Sequence, residues 1–197
     1  VVLILTILFL LARIVAVGRS MTFRTKKRLF ELDRVYHKLP RASSDHKVMI
    51  TMTTTPQRIG VIFPTLASLL DQTVRVDEIC LNVPFISRKG LEYHIPKWLR
   101  NLKSVTVRRV EVDEGPSTKL LPTLRREDPE TRILVFDDDN IYHSRTVELL
   151  VDAFEDYARQ GRRVAVTHYG VMLSRNGKIP PFVSFTRTRT MFCQPCD

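Results

Sequence analysis

The stretch RILVFDDDN, residues 132–140, runs four apolar residues, Ile133 to Phe136, straight into three consecutive carboxylates, Asp137, Asp138 and Asp139. A short apolar run bounded by polar residues reads as a buried strand. Like charges packed this closely repel, so the end of that strand calls for a positive partner. Side chains alternate along a strand, so Asp137 and Asp139 are expected to share one face and Asp138 to take the other. Two carboxylates on one side, at a strand's carboxyl end, make a hard-oxygen site suited to Mg2+ or Mn2+, ions that keep positions open for water and substrate phosphates. Such an ion would neutralise charge building on a departing diphosphate. The plainer alternative is a loop in which Asp139 or Asn140 caps the next helix while the other acids are solvated. That accounts for one acid more readily than for three in succession.

Outward from this strand the chain alternates. VMITM (48–52), EICLNV (78–83) and KSVTVRRVEV (103–112) read as strands, the last by its period of two. RRVAVTHYG (162–170) supplies a fifth. Between them, VIFPTLASLLDQ (61–72), KLLPTLRR (119–126) and SRTVELLVDAFEDYARQ (144–160) read as helices. Residues 20–38 also look helical, with Phe23, Leu29, Leu32 and Tyr36 loosely on one side, and the polar LPRASSDHK (39–47) reads as a linker. Strands alternating with helices predict an α/β sandwich, a mostly parallel sheet with helices on both faces. Ligands of such sheets bind beyond the carboxyl ends of the strands, where strand order reverses.

Two further loops follow strands and therefore belong to the same edge. In TTTPQR (53–58), Thr55 with Pro56 behind it is a common helix start. The functional reading instead puts Thr53, Thr54 and Arg58 where a nucleotide would lie. In GPSTKLLP (115–122), Ser117 or Thr118 can cap a helix while Lys119 offers a point charge to phosphate. Each has a purely structural explanation when taken singly, and the convergence of all three carries more than any one. Haloacid-dehalogenase-like phosphatases also place an acidic DxDx[TV] motif after an apolar strand, and DDDNI comes close. That family sets its nucleophilic Asp near the domain start with a lysine and an acidic pair downstream, whereas here the cluster lies late and no acidic pair follows.

Composition suits a globular chain, with 44% hydrophobic and 26% charged residues over 197 positions. A net charge of +10 first suggests nucleic acid, but its distribution argues against that. Six of the 31 bases (Arg13, Arg19, Arg24, Lys26, Lys27, Arg28) fall within residues 1–30, which hold no acid, leaving 25 bases against 21 acids elsewhere. The excess lies beside VVLILTILFLLARIVAVG, residues 1–18, where basic clusters meet anionic headgroups. This apolar segment reads as a signal-anchor helix spanning the membrane once, or as a signal peptide cut after Ala16 and Gly18. A helix apolar on every side has no solvent face, which places a buried soluble helix third. Bases just after the segment favour a cytoplasmic catalytic side, whereas a Golgi or ER lumenal side needs a still more basic upstream flank. The chain opens without Met inside an apolar run, so upstream sequence is expected. Cys80, within EICLNV, reads as a small buried hydrophobe. Cys193 and Cys196 form a lone CxxC, read as a local disulfide or two free thiols rather than a zinc site.

ITMTTTPQRI, PTLASLLDQTVRVDEICLNVP, GPSTKLLPTL and DPETRILVFDDDNIYHSRTVELLVDAF together resemble the GT-A glycosyltransferase family, in particular the small N-terminal domain of a large chlorella-virus multidomain glycosyltransferase and its algal and bacterial relatives. The similarity covers about residues 48–170. It implies a Rossmann-like GT-A domain over residues 47–197, preceded by the anchor (1–18) and a basic helical stem and linker (19–46). It further implies a nucleotide-sugar donor, UDP-linked, with Mn2+ or Mg2+ bridging the diphosphate, and a glycan or other hydroxyl acceptor. By that resemblance Asp139 would be the chief metal ligand with Asp137 beside it, and Asp137 and Asp138 would lie by the nucleotide. Thr53, Thr54 and Arg58 would line the nucleotide-side loop, and Lys119 would face the donor. His168 and Tyr169, after the fifth strand, would lie near the sugar or acceptor, the plainer alternative being packing groups at a strand end. The terminal RNGKIPPFVSFTRTRTMFCQPCD does not match the family, so the acceptor half is expected to be truncated or replaced, and no catalytic base is identified. The alternative expectation is a non-catalytic nucleotide-binding or membrane-tethered interaction protein derived from such an enzyme. Nucleic acid is not expected as a partner.

Overall fold

A computed structural model of the chain describes residues 25–162 and 164–167. Four parallel strands, β1 (Val48–Thr53), β2 (Glu78–Pro84), β3 (Val105–Val110) and β4 (Arg132–Val135), form one sheet in the order β3-β2-β1-β4. Helical residues 25–35 (α1), then α2 (Phe63–Leu70), α3 (Lys97–Arg100), α4 (Leu121–Leu124) and α5 (Thr146–Arg159), flank it. The chain is thus α/β with an all-parallel sheet covered by helices, consistent with a Rossmann-like fold. Ile50 stands level with Ile79 of β2 and Leu134 of β4, so β1 is the central strand.

β1 is covered on both sides, which is why it reads as an unbroken apolar run. Val48, Ile50 and Met52 face the main core with Leu66, Leu69 and Leu70 of α2, all nearly inaccessible to solvent. Each such leucine contributes about 1.5–3 kcal/mol by leaving water. α2 begins with Pro64 in its first turn, where the missing N–H costs nothing, so the proline that looked awkward within residues 61–72 is a helix start.

The opposite face of the sheet, which also buries Met49 and Cys80, carries polar groups that are matched to one another. Thr51 Oγ1 donates to the Lys119 carbonyl at 2.5 Å and lies 2.8 Å from Thr123 Oγ1. Asn82 Nδ2 donates to both hydroxyls at 3.1 Å. Thr51, Asn82 and Thr123 are each fully buried. This layer ties β1 and β2 to α4 and to the 3-10 turn Gly115–Lys119 that precedes it.

The described part of the basic segment is built into the domain rather than standing apart as a stem. Leu29, Leu32 and Tyr36 lie in the main core. Asp33, itself buried, accepts hydrogen bonds from the backbone N–H groups of Lys103 and Ser104, just ahead of β3. Tyr36 Oη accepts the Val76 N–H at 3.0 Å, and burial raises its pKa to about 12. The linker is likewise tied down by Arg41, whose guanidinium donates to both carboxylate oxygens of Asp77 at 2.7 and 2.8 Å.

Differences from the expected elements are local. The helix expected at 119–126 is a 3-10 turn followed by one helical turn, since Pro122 interrupts it. α3 and a small hairpin closed by an Ile86–Glu92 bridge lie in a stretch given no element beforehand. Residues 163 and 168–170 of the expected fifth strand fall outside the described residues, and among the rest Ala165 holds a single bridge. The apolar segment 1–18, His168, Tyr169, Cys193 and Cys196 lie outside the described residues as well, among which no helix is long and apolar enough to cross a membrane.

Two outcomes test this framework. Thr51→Val keeps the shape but strips the hydroxyl from the buried layer, leaving Asn82, Thr123 and the Lys119 carbonyl each short of a partner. Urea denaturation should show a loss of about 1–3 kcal/mol. The Arg41 guanidinium holds the Asp77 carboxyl below its usual range, which burial alone would raise. Its stabilisation is therefore complete above the unfolded value of about 3.9 and lost as pH falls through the lower folded value. Asp77→Asn should flatten that acid limb by about 1 kcal/mol, a figure reduced for the partial exposure of the pair; the check is urea midpoint against pH.

Candidate functional site

Strand order reverses beside β1. The chain leaves β1 for β2 and β3 on one side, then returns to place β4 on the other. The carboxyl ends of β1 and β4 therefore flank the switch point, where a crevice opens in sheets of this kind. The loop after β1 carries Thr54 and Arg58, and the segment after β4 carries the three carboxylates.

The cluster meets its positive partners within the protein. Asp138 is buried, its side chain 4% exposed. It accepts from Thr54 Oγ1 at 2.5 Å and forms an ion pair with Arg58 Nη2 at 2.7 Å. The other arm of the same guanidinium, Nη1, donates to Asp139 Oδ2 at 2.8 Å. Asp137 Oδ1 accepts a short hydrogen bond from Lys119 Nζ. Asp137 and Asp139 each have roughly half of their side chain exposed, 53% and 54%. The expected alternation holds in its effect, with Asp138 turned inward and its neighbours outward, although the strand itself ends at Val135.

The surrounding residues brace the segment. Thr65 Oγ1, on α2, donates to the Asp138 carbonyl at 2.9 Å. Tyr142 stands edge-on to Phe136, accepts the Asp137 N–H at 2.9 Å and lies 3.2 Å from the Asp137 carbonyl. Burial raises the Tyr142 pKa. Tyr93 Oη donates to the Thr54 carbonyl at 3.0 Å. Burial, with the charges of Asp113 and Asp138 nearby, raises the Tyr93 pKa to about 12, so it remains a donor throughout the ordinary pH range. The backbone of the carboxylate segment is thereby pinned by Thr65 of α2 and by Tyr142, while Tyr93 holds the Thr54 loop that meets it.

Of the residues expected here, Thr54, Arg58, Lys119, Asp137, Asp138 and Asp139 come together. Thr53 does not, because its hydroxyl donates to the Asn82 carbonyl across to β2. Thr55 caps no helix: its carbonyl accepts the N–H groups of Arg58 and Ile59 in a turn, and α2 starts only at Phe63. That turn is what carries Arg58 back over the carboxylates. Thr118 caps backwards instead of forwards, accepting the Glu114 N–H at 2.8 Å and thereby shaping the loop that presents Lys119. Sequence reasoning missed Thr65, Tyr93 and Tyr142. Only Tyr142, five residues past Asp137, carried a local signal, since the other two are brought in by tertiary packing.

Residues that could hold a divalent ion are Asp137 and Asp139. Among the described residues no three His, Cys, Asp or Glu side chains are grouped to enclose a metal, so a protein-only cage is not built here. Two half-exposed carboxylates nevertheless fit an ion of the Mg2+ type, which takes one or two carboxylates and completes its shell with water and substrate phosphate. A cleft of about 1100 Å³ runs from Asp137 along β4 to α5. Leu134, Phe136, Leu150 and Phe154 line it, and neither Arg58 nor Lys119 does, so an anion is better matched on the loop side of the cluster.

No protein-family model matches this chain, and no curated protein matches it significantly.

A buried carboxylate facing one guanidinium is costly to orphan. Arg58→Met should destabilise the fold by about 2–3 kcal/mol, the lower end for such pairs because Arg58 is partly exposed. Adding Asp138→Asn should recover most of that loss in a double-mutant cycle read by chemical denaturation. Equal losses in the single and double variants would show that Arg58 does not stabilise the fold through Asp138.

Proposed function

We propose that the chain is a metal-dependent glycosyltransferase of GT-A type, moving a sugar from a nucleotide-sugar donor, UDP-linked, to an acceptor hydroxyl, and tethered to a membrane by its N-terminal apolar segment. The observation that carries this reading is the meeting of three loops at the switch point: Thr54 and Arg58 after β1, Lys119 after β3, and Asp137 to Asp139 after β4. The resemblance of the same three motifs to the GT-A family supports the choice of donor.

Each residue has a part consistent with that chemistry. Asp137 and Asp139 would hold Mn2+ or Mg2+, which when bound supplies neutralising charge to the diphosphate leaving group. Lys119 and Arg58 already touch those carboxylates, so phosphate oxygens at the cluster would meet a point charge from one and a planar fork of donors from the other. Asp138 keeps Arg58 in place, and Thr54 keeps Asp138 in place. Tyr142 fixes the Asp137 backbone, so that the carboxylate need not be ordered when the donor arrives.

Calorimetric titration of the full chain with UDP, with and without Mn2+, tests the reading. Metal-dependent binding is expected, weakened at least about tenfold in Asp139→Ala, together with slow hydrolysis of a UDP-sugar. Unchanged metal-dependent binding in that variant would defeat the assignment of Asp139. Binding without any turnover would point to a nucleotide-binding protein derived from such an enzyme.

A further inference from the structure

The two cations that meet the exposed carboxylates are held in different ways. Arg58 places one arm of its guanidinium, Nη2, on the buried Asp138 and the other, Nη1, on Asp139. Asp138 is 4% exposed, so Arg58 cannot withdraw from it without leaving a charge unpaired in the interior. Whatever happens at Asp139, the guanidinium stays at the cluster. Lys119 has no second anchor of that kind. Among the described residues its ammonium pairs with one carboxylate, Asp137, and its side chain is 28% exposed.

The backbones of both partners are fixed independently of that contact. Thr51 Oγ1 donates to the Lys119 carbonyl from the buried polar layer, and Thr118 braces the preceding turn through the Glu114 N–H. Tyr142 holds Asp137 by accepting its N–H. The Lys119–Asp137 pair therefore opens by rotation of a flexible four-carbon stem, with neither loop shifting. While closed, it sets a full positive charge on Asp137 Oδ1, one of the two carboxylates that fit a divalent ion. Unit charges of the same sign roughly 4 Å apart repel appreciably even in water, and a divalent ion doubles that repulsion.

We propose, resting on the reading of Asp137 and Asp139 as the metal ligands, that Lys119 is a built-in counter-cation. It occupies Asp137 until a diphosphate draws its ammonium away, and so makes metal binding conditional on the anion. The exchange replaces one anionic partner of the ammonium by another, and it frees an oxygen of Asp137 at the moment the phosphate oxygens are in place. Because binding free energies are linked, the factor by which the diphosphate tightens metal binding is also the factor by which the metal tightens diphosphate binding. Arg58 supplies a constant charge to the site, and Lys119 supplies the switch.

The test is titration of the full chain with Mn2+ alone, with no nucleotide present, followed by loss of the free-ion electron paramagnetic resonance signal. Lys119→Met removes the charge and keeps the length of the side chain, and it should bind Mn2+ at least about tenfold more tightly than the wild type. Lys119→Arg keeps the charge and should bind as the wild type does. Adding Asp139→Ala to Lys119→Met should abolish the gain, which ties it to the cluster. A Lys119 that only shaped its loop would give a loss or no change on removal, never a gain. Equal Mn2+ affinity in the wild type and Lys119→Met, an equal gain in Lys119→Arg, or a gain that survives Asp139→Ala overturns the proposal. The donor reading fails separately: a gain in Lys119→Met together with no binding of UDP to the wild type in Mn2+ would leave the counter-cation standing and remove the nucleotide.

Discussion

Asp138 is a carboxylate almost sealed from water, and the carboxyl edge of the sheet is organised around satisfying it. A charge in that position is unfavourable by several kcal/mol unless paired and hydrogen-bonded. Arg58 and Thr54 supply both, and both come from the loop after β1. That loop must therefore turn back over β4 instead of running directly into a helix, which is why α2 starts nine residues after Thr54, at Phe63. Because one guanidinium spans Asp138 and Asp139, the requirement of the buried acid also orders the exposed one. Stability and the candidate chemistry share a residue here, and neither can change without the other.

A second constraint comes from below the sheet. The Lys119 carbonyl accepts from Thr51 inside a fully buried polar layer, while the Lys119 ammonium reaches Asp137 at the edge. Position 119 is thus held through its backbone by the same central strand whose following loop holds Arg58. The two cations that meet the carboxylates are both referenced to β1, one through its carboxyl end and one through its inner face. A polar layer of this kind confers position when it is fully satisfied, whereas a looser apolar contact would let the lysine loop drift.

How much of this could be read from residues alone follows from range. Strands β1 and β2 were legible because a strand buried on both faces shows a nearly continuous apolar run, β4 because its short apolar run is bounded by polar residues although its residues stay partly exposed, and α5 because its apolar stripe recurs at helical spacing. The placing of Asp138 apart from its neighbours was legible from alternation. The partner of that acid was not, since Arg58 and Asp138 are 80 residues apart and only the strand order brings them together. Thr53 and Thr54 illustrate the same limit at short range. Adjacent threonines after one strand were indistinguishable in sequence, yet alternation sends one hydroxyl to β2 and the other to the acid. Residues 25–38 looked like a stem because they are basic, yet Leu29, Leu32 and Tyr36, which share one side of a helix, are the positions that bury them in the main core.

Charge balance sharpens what the cluster can do. Three carboxylates against Arg58 and Lys119 leave one net negative charge at the edge, a setting that by itself disfavours an anionic ligand. A nucleotide-sugar diphosphate carries roughly two more negative charges, and at separations of a few ångströms that repulsion would outweigh the few hydrogen bonds two cations can offer. A divalent ion reverses the sign of the site to a net positive charge before the diphosphate is counted. On the proposed reading the metal and the diphosphate would therefore bind together, because Arg58 and Lys119 would leave Asp139 and Asp137 only when phosphate oxygens are present to receive them. Within the protein, the same two side chains offset the repulsion among three adjacent acids at the β4 end.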